Sequence, residues 1–137
     1  MLHQTHEYLA RTIRIVRRIL LVFFIIRFFF LGAGVVDGQS MVPTLQDHQL
    51  FFVHKLGYLF HEPRLNDVVQ AYHPQAPTAL IIKRIVGLPG DTVTLRNVAF
   101  ITLAPHTYFL VGDNTDASTD SRDFGPVSRN RIIGKVL

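Results

Sequence analysis

The hydrophobic and polar positions divide the chain into two parts with different patterns. Residues 19–36 are apolar apart from Arg27. As a helix this segment is roughly 27 Å long, which is close to the hydrocarbon thickness of a bilayer. From Asp37 onward, short β-type runs alternate with Gly, Pro, Asn and Asp. The pattern predicts a single transmembrane anchor over 19–36, followed by a mostly β domain over 37–137.

The segment before the apolar run, residues 1–18, is basic. Its four arginines are Arg11, Arg14, Arg17 and Arg18. They favour a cytoplasmic N-terminus, which places the domain from residue 37 onward on the outer face of the membrane. Arg27 costs about 2.5–3.5 kcal/mol near a bilayer centre, and the surrounding Leu, Val, Ile and Phe outweigh this cost. A helix in the interface and a cleaved signal peptide are alternatives, but no small-x-small site closes the run.

Seven short runs in the second part are predicted strands. They are residues 50–54, 67–72, 79–86, 91–95, 98–103, 107–111 and 131–137. Without long helical periodicity, these runs predict a small antiparallel β-barrel-like domain. The apolar segment 56–60 lies between two of them. It either packs on the core or forms an exposed loop that dips into the membrane surface.

Composition narrows the functional classes. The chain has 137 residues and no cysteine, which excludes disulfides, thiolate metal sites and cysteine nucleophiles. Its net charge of +4 comes from the anchor region, because the residues from Phe28 onward carry nine Lys and Arg against nine Asp and Glu. A basic nucleic-acid-binding face is therefore not expected.

His61-Glu62 is followed by Leu65 where a zinc-protease helix needs histidine, and no metal or cofactor is expected.

Two residues suggest acyl-transfer chemistry. Ser40 precedes a proline-containing turn, and Lys83 lies in an apolar strand with Ile81 and Ile85 on its own face. Burial disfavours an ammonium group and lowers its pKa, which a lysine needs before it can accept a proton. The pattern alone also fits an edge lysine whose amine reaches water. It leaves a Ser-His-Asp triad open as well, since the chain has seven histidines.

The segment 112–126 is rich in small polar residues. Three interpretations fit it: an exposed loop, a calcium loop, or a folded-in loop that is held by Asp–Arg pairs. The calcium interpretation lacks the closing glutamate of a twelve-residue loop.

Taken in order, these segments resemble bacterial type I signal peptidase, the leader peptidase family, in a minimal single-span form. The resemblance covers nearly the whole chain. Besides the anchor, the matching motifs are residues 40–45, 67–69, 83–91 and 112–125. It implies a mostly antiparallel β fold and cleavage of preproteins after small-x-small sequences at the outer membrane surface.

The resemblance also implies roles for individual residues. Ser40 is the expected nucleophile and Lys83 its general base, while the Ser40 backbone N–H contributes to the oxyanion hole. Ser118 is expected to hydrogen-bond and orient the Lys83 amine. The expected ion pairs that hold the loop are Arg84 with Asp113 and Arg122 with Asp120.

Three departures from the family pattern are visible. Asn66 stands where glycine is usual, and the stretch between Asp91 and Gly112 is short, so the large second domain of some members is missing. Gly38 stands where some members place a serine that helps to stabilise the oxyanion. A backbone N–H or a water is expected to replace that donor. Gly38→Ser is then expected to be tolerated, and Gly38→Val to be impaired.

The sequence thus predicts a membrane-anchored serine endopeptidase that removes signal peptides from exported proteins. Its expected partners are preproteins, membrane lipid and the protein-export machinery. A dedicated processing peptidase, such as one for conjugative pilin, stays open, as does a non-catalytic membrane-tethered β module. The soluble Ser–Lys self-cleaving repressors lack an anchor, so the apolar run argues against them.

Overall fold

The computed structural model describes residues 2–96 and 98–137, with side chains for residues 11–25, 30–96 and 100–137. Asn97, between the predicted strands 91–95 and 98–103, lies outside the described residues. The chain forms two compact units that divide between Leu31 and Gly32.

The first unit is a long helix, α1 (Leu2–Phe30). Among the described residues, no helix has both the length and the apolar character needed to cross a bilayer. The segment predicted as helical through residue 36 is helical only as far as Phe30, because β1 (Leu31–Val35) joins the sheet beside the second strand. The ring of Phe51 packs so closely on Gly34 that a Cβ there would lie 2.7 Å from it. The prediction of a helix over 31–36 is therefore wrong.

The second unit is built on a seven-stranded sheet in the order β1-β2-β9-β3-β4-β7-β8, and β5 and β6 form a separate hairpin. The remaining strands are β2 (Leu50–His54), β3 (Val68–Tyr72), β4 (Leu80–Gly87), β5 (Thr92–Leu95), β6 (Val98–Thr102), β7 (Thr107–Val111), β8 (Val127–Ser128) and β9 (Ile132–Val136). The registered pairs from β2 to β8 are antiparallel. The prediction of a mostly β, antiparallel domain is confirmed.

The strands bury two hydrophobic clusters. The first contains Val69, Ile85 and Leu110, contributed by β3, β4 and β7. The second contains Met41 and Phe51, with Ile82 of β4 packed against it. Strand β4 thus contacts both clusters, which fixes the backbone on either side of Lys83.

Two short helices complete the domain, α2 (Gly57–Phe60) and α3 (Ser121–Phe124). In α2, Tyr58 is buried, whereas Leu59 and Phe60 are 71% and 77% exposed. Packing on the core therefore holds for Tyr58. The other side of the segment is exposed, and its contact with a membrane surface stays a prediction.

Candidate active site

Ser40 lies in the turn that follows β1, and the fold holds this turn on both sides. Met41, the next residue, is buried in the second cluster. The Asn114 backbone N–H donates to the Ser40 carbonyl oxygen at 3.0 Å. The backbone of Ser40 is thus tied to the loop that follows β7.

Lys83 lies on β4 opposite Val69 of β3, and it is only 5% exposed. Its Nζ lies 2.7 Å from Ser40 Oγ, within hydrogen-bond distance. The structure therefore brings together two residues that are 43 positions apart in the sequence.

The surroundings of Lys83 favour its neutral form. Burial lowers the pKa of the amine, and Arg122 lowers it further, while the negative charge of Asp120 raises it. The net effect is a pKa below the ordinary lysine value of 10.5. A neutral amine beside a hydroxyl can accept the hydroxyl proton, which a permanently charged lysine cannot do.

Asp120 is fully buried and organises the loop after β7. Its carboxylate accepts hydrogen bonds from Ser118 Oγ at 2.6 Å, Arg122 Nη2 at 2.7 Å and the Gly112 N–H at 3.0 Å. Burial by itself raises the pKa of this carboxyl, but the bonds from Arg122, Ser118 and Gly112 lower it to about 2 overall. The Asp120 carboxylate stays ionised although it is buried, because each of these partners donates a hydrogen bond to it.

Gly112 lets this loop approach the nucleophile turn. A Cβ at position 112 would lie 2.3 Å from Ser118 Oγ and 2.5 Å from the Ser40 carbonyl oxygen. Any larger residue would push the two segments apart.

Ser118 is placed differently from the sequence-based expectation. It is buried, and its hydroxyl donates to Asp120. Within the described part of the chain, no hydrogen bond joins Ser118 to Lys83. The influence of Ser118 on the amine therefore passes through Asp120, whose charge acts on Lys83.

Arg84, the neighbour of Lys83, forms a two-point ion pair with Asp113. Arg84 Nε donates to Oδ1 at 2.8 Å and Nη2 to Oδ2 at 2.6 Å. This pairing lowers the pKa of the Asp113 carboxyl, against the opposing effect of burial. Thr44 Oγ1 also donates to Asp113 Oδ2, at 2.5 Å. The ion pair thus connects the strand of Lys83 with the turn of Ser40, a role for Thr44 that its place in the 40–45 motif did not reveal.

Asn66 has a φ of +69°. Asn tolerates this left-handed conformation better than most residues, which explains how it can stand where the family usually has glycine. Its carbonyl oxygen accepts from Arg84 Nη1 at 2.8 Å, so the departure keeps the Arg84 network intact.

Gly38 has a φ of +89°, and its N–H donates to Asp47 Oδ1 at 2.8 Å. A side chain at this φ is strained although the space around it is open. The expected tolerance of Gly38→Ser therefore does not follow from the structure, and serine and valine are both disfavoured here. The Gly38 N–H is also engaged by Asp47, so it does not supply the missing oxyanion donor in this conformation.

A cavity of about 380 Å³ lies beside Ser40 and Lys83. Its apolar lining residues include Val35, Val36, Met41, Phe51, Leu80, Ile81 and Ile82. Within the part of the chain that the structure describes, no group of three or more His, Asp or Glu side chains is placed to hold a metal ion.

The site thus combines a serine hydroxyl with a buried lysine amine at the wall of a cavity that is lined mostly by apolar residues. Comparison with known proteins identifies the family. The family model for signal peptidase, peptidase S26, matches residues 9–102 and 98–137. The chain belongs to the peptidase S26 family of signal peptidases, which confirms the resemblance drawn from the motifs.

Two sequence relatives agree with this assignment. The chain is 35% identical to mitochondrial inner membrane protease subunit 1 of Xenopus tropicalis, over 80% of this chain and 69% of the relative. It is 29% identical to signal peptidase I of Bacillus caldolyticus, over 81% of this chain and 80% of the relative. A solved structure of signal peptidase I from Enterococcus faecalis V583 superposes with a TM-score of 0.48 at 23% identity, over 56% of this chain and 98% of that chain.

Proposed function

We propose that this protein is a membrane-anchored serine endopeptidase that removes N-terminal signal peptides with a Ser40–Lys83 dyad. The observation that carries the proposal is the 2.7 Å separation of Lys83 Nζ and Ser40 Oγ at a buried lysine. A buried lysine is costly unless its neutral form is used, and a hydroxyl nucleophile needs such a base.

The proposed reaction has two halves. Lys83 Nζ takes the proton of the Ser40 hydroxyl while Oγ attacks the scissile carbonyl carbon. The Ser40 backbone N–H donates a hydrogen bond to the developing oxyanion. Lys83 then gives its proton to the leaving amine. A water molecule, deprotonated by Lys83, then attacks the ester carbon. The bond from this carbon to Ser40 Oγ breaks, Oγ takes the proton from Lys83, and the new carboxylate is released. Ser118, Asp120 and Arg122 act on this chemistry by fixing the charge around the amine.

The substrate class is part of the proposal, and the family to which the chain belongs supports it. The cavity beside the dyad is lined mainly by aliphatic side chains, with Asp37 and Gln70 also in its wall, and its volume of about 380 Å³ can take an apolar side chain of the substrate. We therefore expect cleavage after small-x-small sequences, as in preprotein signal peptides.

The membrane anchoring is also part of the proposal. In α1, residues 19–25 are large apolar residues exposed along the helix. Lipid is the natural cover for such a surface, and the arginines before it favour a cytoplasmic N-terminus with the β domain on the outer face. The export machinery and the membrane would then bring preproteins to the site.

A dedicated role as one subunit of a processing peptidase is the second candidate function. The similarity to a protein named as subunit 1 of a mitochondrial inner membrane protease favours it. It differs from the first in the range of preproteins cleaved, and the dyad chemistry is the same.

Ser40→Ala tests the proposal. Detergent-solubilised protein is incubated with a preprotein that carries an Ala-x-Ala site, and the new N-terminus is identified by mass spectrometry. Wild type is expected to cut after the second alanine. Ser40→Ala is expected to lose this cleavage, and Ser128→Ala, a change at an exposed serine on β8, is expected to retain it. Equal cleavage by wild type and Ser40→Ala would contradict the proposal.

A further inference from the structure

We propose that Arg96 is a positioning residue for the Ser40–Lys83 dyad, because it holds the loop after β7 (residues 112–125) in place beside the Lys83 amine. The inference rests on the proposed function, in which this amine is the general base. Arg96 lies outside the sequence motifs and directly follows β5. It therefore reaches the loop from the β5–β6 hairpin, which is a sheet of its own.

Three contacts join Arg96 to the loop. Its Nε forms an ion pair with Asp123 Oδ1 at 3.0 Å, and its Nη2 donates to the Ser118 carbonyl oxygen at 3.2 Å. Its backbone N–H donates to the Arg122 carbonyl oxygen at 3.1 Å. These three partners lie on both sides of Asp120 in the sequence. Arg96 thus restrains the backbone that flanks the buried Asp120 carboxylate.

The Asp123 carboxylate passes this restraint to Asp120. Its Oδ2 accepts from the Asp120 backbone N–H at 3.1 Å, as part of the cap of α3, while its Oδ1 is paired with Arg96. One carboxylate therefore bridges the hairpin and the residue that organises the loop.

A purely stabilising role accounts for these contacts less well. The side chains of Arg96 and Asp123 are 47% and 31% exposed. Ion pairs at such positions contribute little to the free energy of unfolding. What the contacts do restrict is the position of the loop.

The loop acts on both members of the dyad. The Asn114 backbone N–H donates to the Ser40 carbonyl oxygen at 3.0 Å. Burial is the largest influence on the pKa of the Lys83 amine and lowers it, while the charge of Asp120 raises it and that of Arg122 lowers it. A loosened loop would admit water to the amine, and its pKa would then rise toward the ordinary lysine value.

The cavity beside the dyad is formed by other segments. Its lining residues fall within 33–41 and 80–83, together with Phe51 and Gln70. Among the described residues, none of this lining belongs to the loop after β7. Loss of the Arg96 contacts is therefore expected to lower kcat and to leave KM unchanged.

Two variants of Arg96 and one control test the inference. Arg96→Gln removes the charge, and Arg96→Lys keeps a cation that cannot reach both side-chain acceptors at once. Arg64→Gln is the matched control, because Arg64 is exposed and lies in the segment before β3. Thermal unfolding of each full chain in detergent is measured first. All are expected to be folded at the assay temperature, because the Arg96 side chain is about half exposed.

Two properties of each variant are then measured. The first is kcat and KM for a preprotein with an Ala-x-Ala site. The second is the titration of Lys83, followed by NMR with lysine labelled with ¹³C at Cε and assigned with Lys83→Met. Arg96→Gln is expected to lower kcat about tenfold, the scale of a lost hydrogen bond to a charged group, and to titrate Lys83 at a higher pH than wild type. Arg96→Lys is expected to show the same changes at smaller size, and Arg64→Gln to match wild type.

An unchanged Lys83 midpoint in Arg96→Gln overturns the inference, whether or not kcat falls. A rise in KM at constant kcat overturns it too, as do equal changes in Arg64→Gln. If Arg96→Gln did not fold, Arg96→Lys would decide in the same way. Absence of cleavage by wild type would reject the proposed function, while the Lys83 titrations would still test the positioning by Arg96.

Discussion

Lys83→Arg is expected to lose about 10²–10⁴-fold in kcat/KM for preprotein cleavage, which is what a positioned general base contributes. A guanidinium stays protonated at any pH that the fold survives, so it cannot take the Ser40 proton. Lys83→Met removes the same base but leaves no charge in the buried site. It is expected to be equally inactive, with a melting temperature that is unchanged or higher because the buried amine is gone.

A comparison of the two variants separates the loss of the general base from a loss of folding. Kinetics with a preprotein and thermal unfolding are measured for both, with Lys55→Arg as a control at an exposed lysine. A Lys83→Met protein that is folded and cleaves at the wild-type rate would rule out Lys83 as the base. A histidine base would instead appear as loss of activity at a single His→Ala position.

Asp120→Ala is expected to lower both stability and activity. The carboxylate is 0% exposed and holds Arg122, Ser118 and Gly112. Removing one partner of a buried ion pair costs about 3 kcal/mol at the lower end of the usual range. The lower end applies because the Arg122 side chain keeps 22% of its surface exposed. For a domain of this size the melting temperature is expected to fall by about 10–20 °C.

The matched control for this loop is Asp116→Ala, at an exposed carboxylate four positions earlier. It is expected to leave the melting temperature unchanged. Thermal unfolding of both variants and cleavage by both are compared at one temperature below their transitions. If Asp120→Ala melts and cleaves like wild type, Asp120 does not organise this loop.

The same carboxylate gives a pH dependence with a definite sign. Its pKa is about 2 in the folded protein, below the ordinary value of 3.8 for an aspartate side chain. The folded state therefore binds the proton less readily than the unfolded state. The stabilisation, on the order of 2 kcal/mol, is fully present above about pH 4 and is lost as the pH falls through the folded pKa.

Much of the β domain was predictable from local pattern. The strands at Leu50–His54 and Thr107–Val111 have the predicted bounds, because both are short runs rich in aromatic and β-branched residues. The strand Leu31–Val35 was missed, since its apolar residues continue the apolar run of the helix. This segment becomes a strand through a long-range contact, in which the ring of Phe51 on β2 packs on Gly34 of β1.

The features of the site also divide into those that the sequence predicts and those that only the structure shows. Ser40, Lys83 and the two Asp–Arg pairs stand in motifs long enough to be recognised in the sequence. The acceptor of the Ser118 hydroxyl and the bond from Thr44 to Asp113 depend on how two loops meet around Gly112. A sequence lists such hydroxyls without indicating which acceptor each one reaches.

The most direct test of the Ser40–Lys83 dyad is the titration of the Lys83 amine itself. The chain contains three lysines, so lysine labelled with ¹³C at Cε gives three NMR signals, and Lys83→Met assigns one of them. Because burial lowers the pKa of Lys83, its signal is expected to titrate below 10.5, and the cleavage rate is expected to rise with pH through the same midpoint. A Lys83 signal that titrates at or above 10.5 would contradict the account.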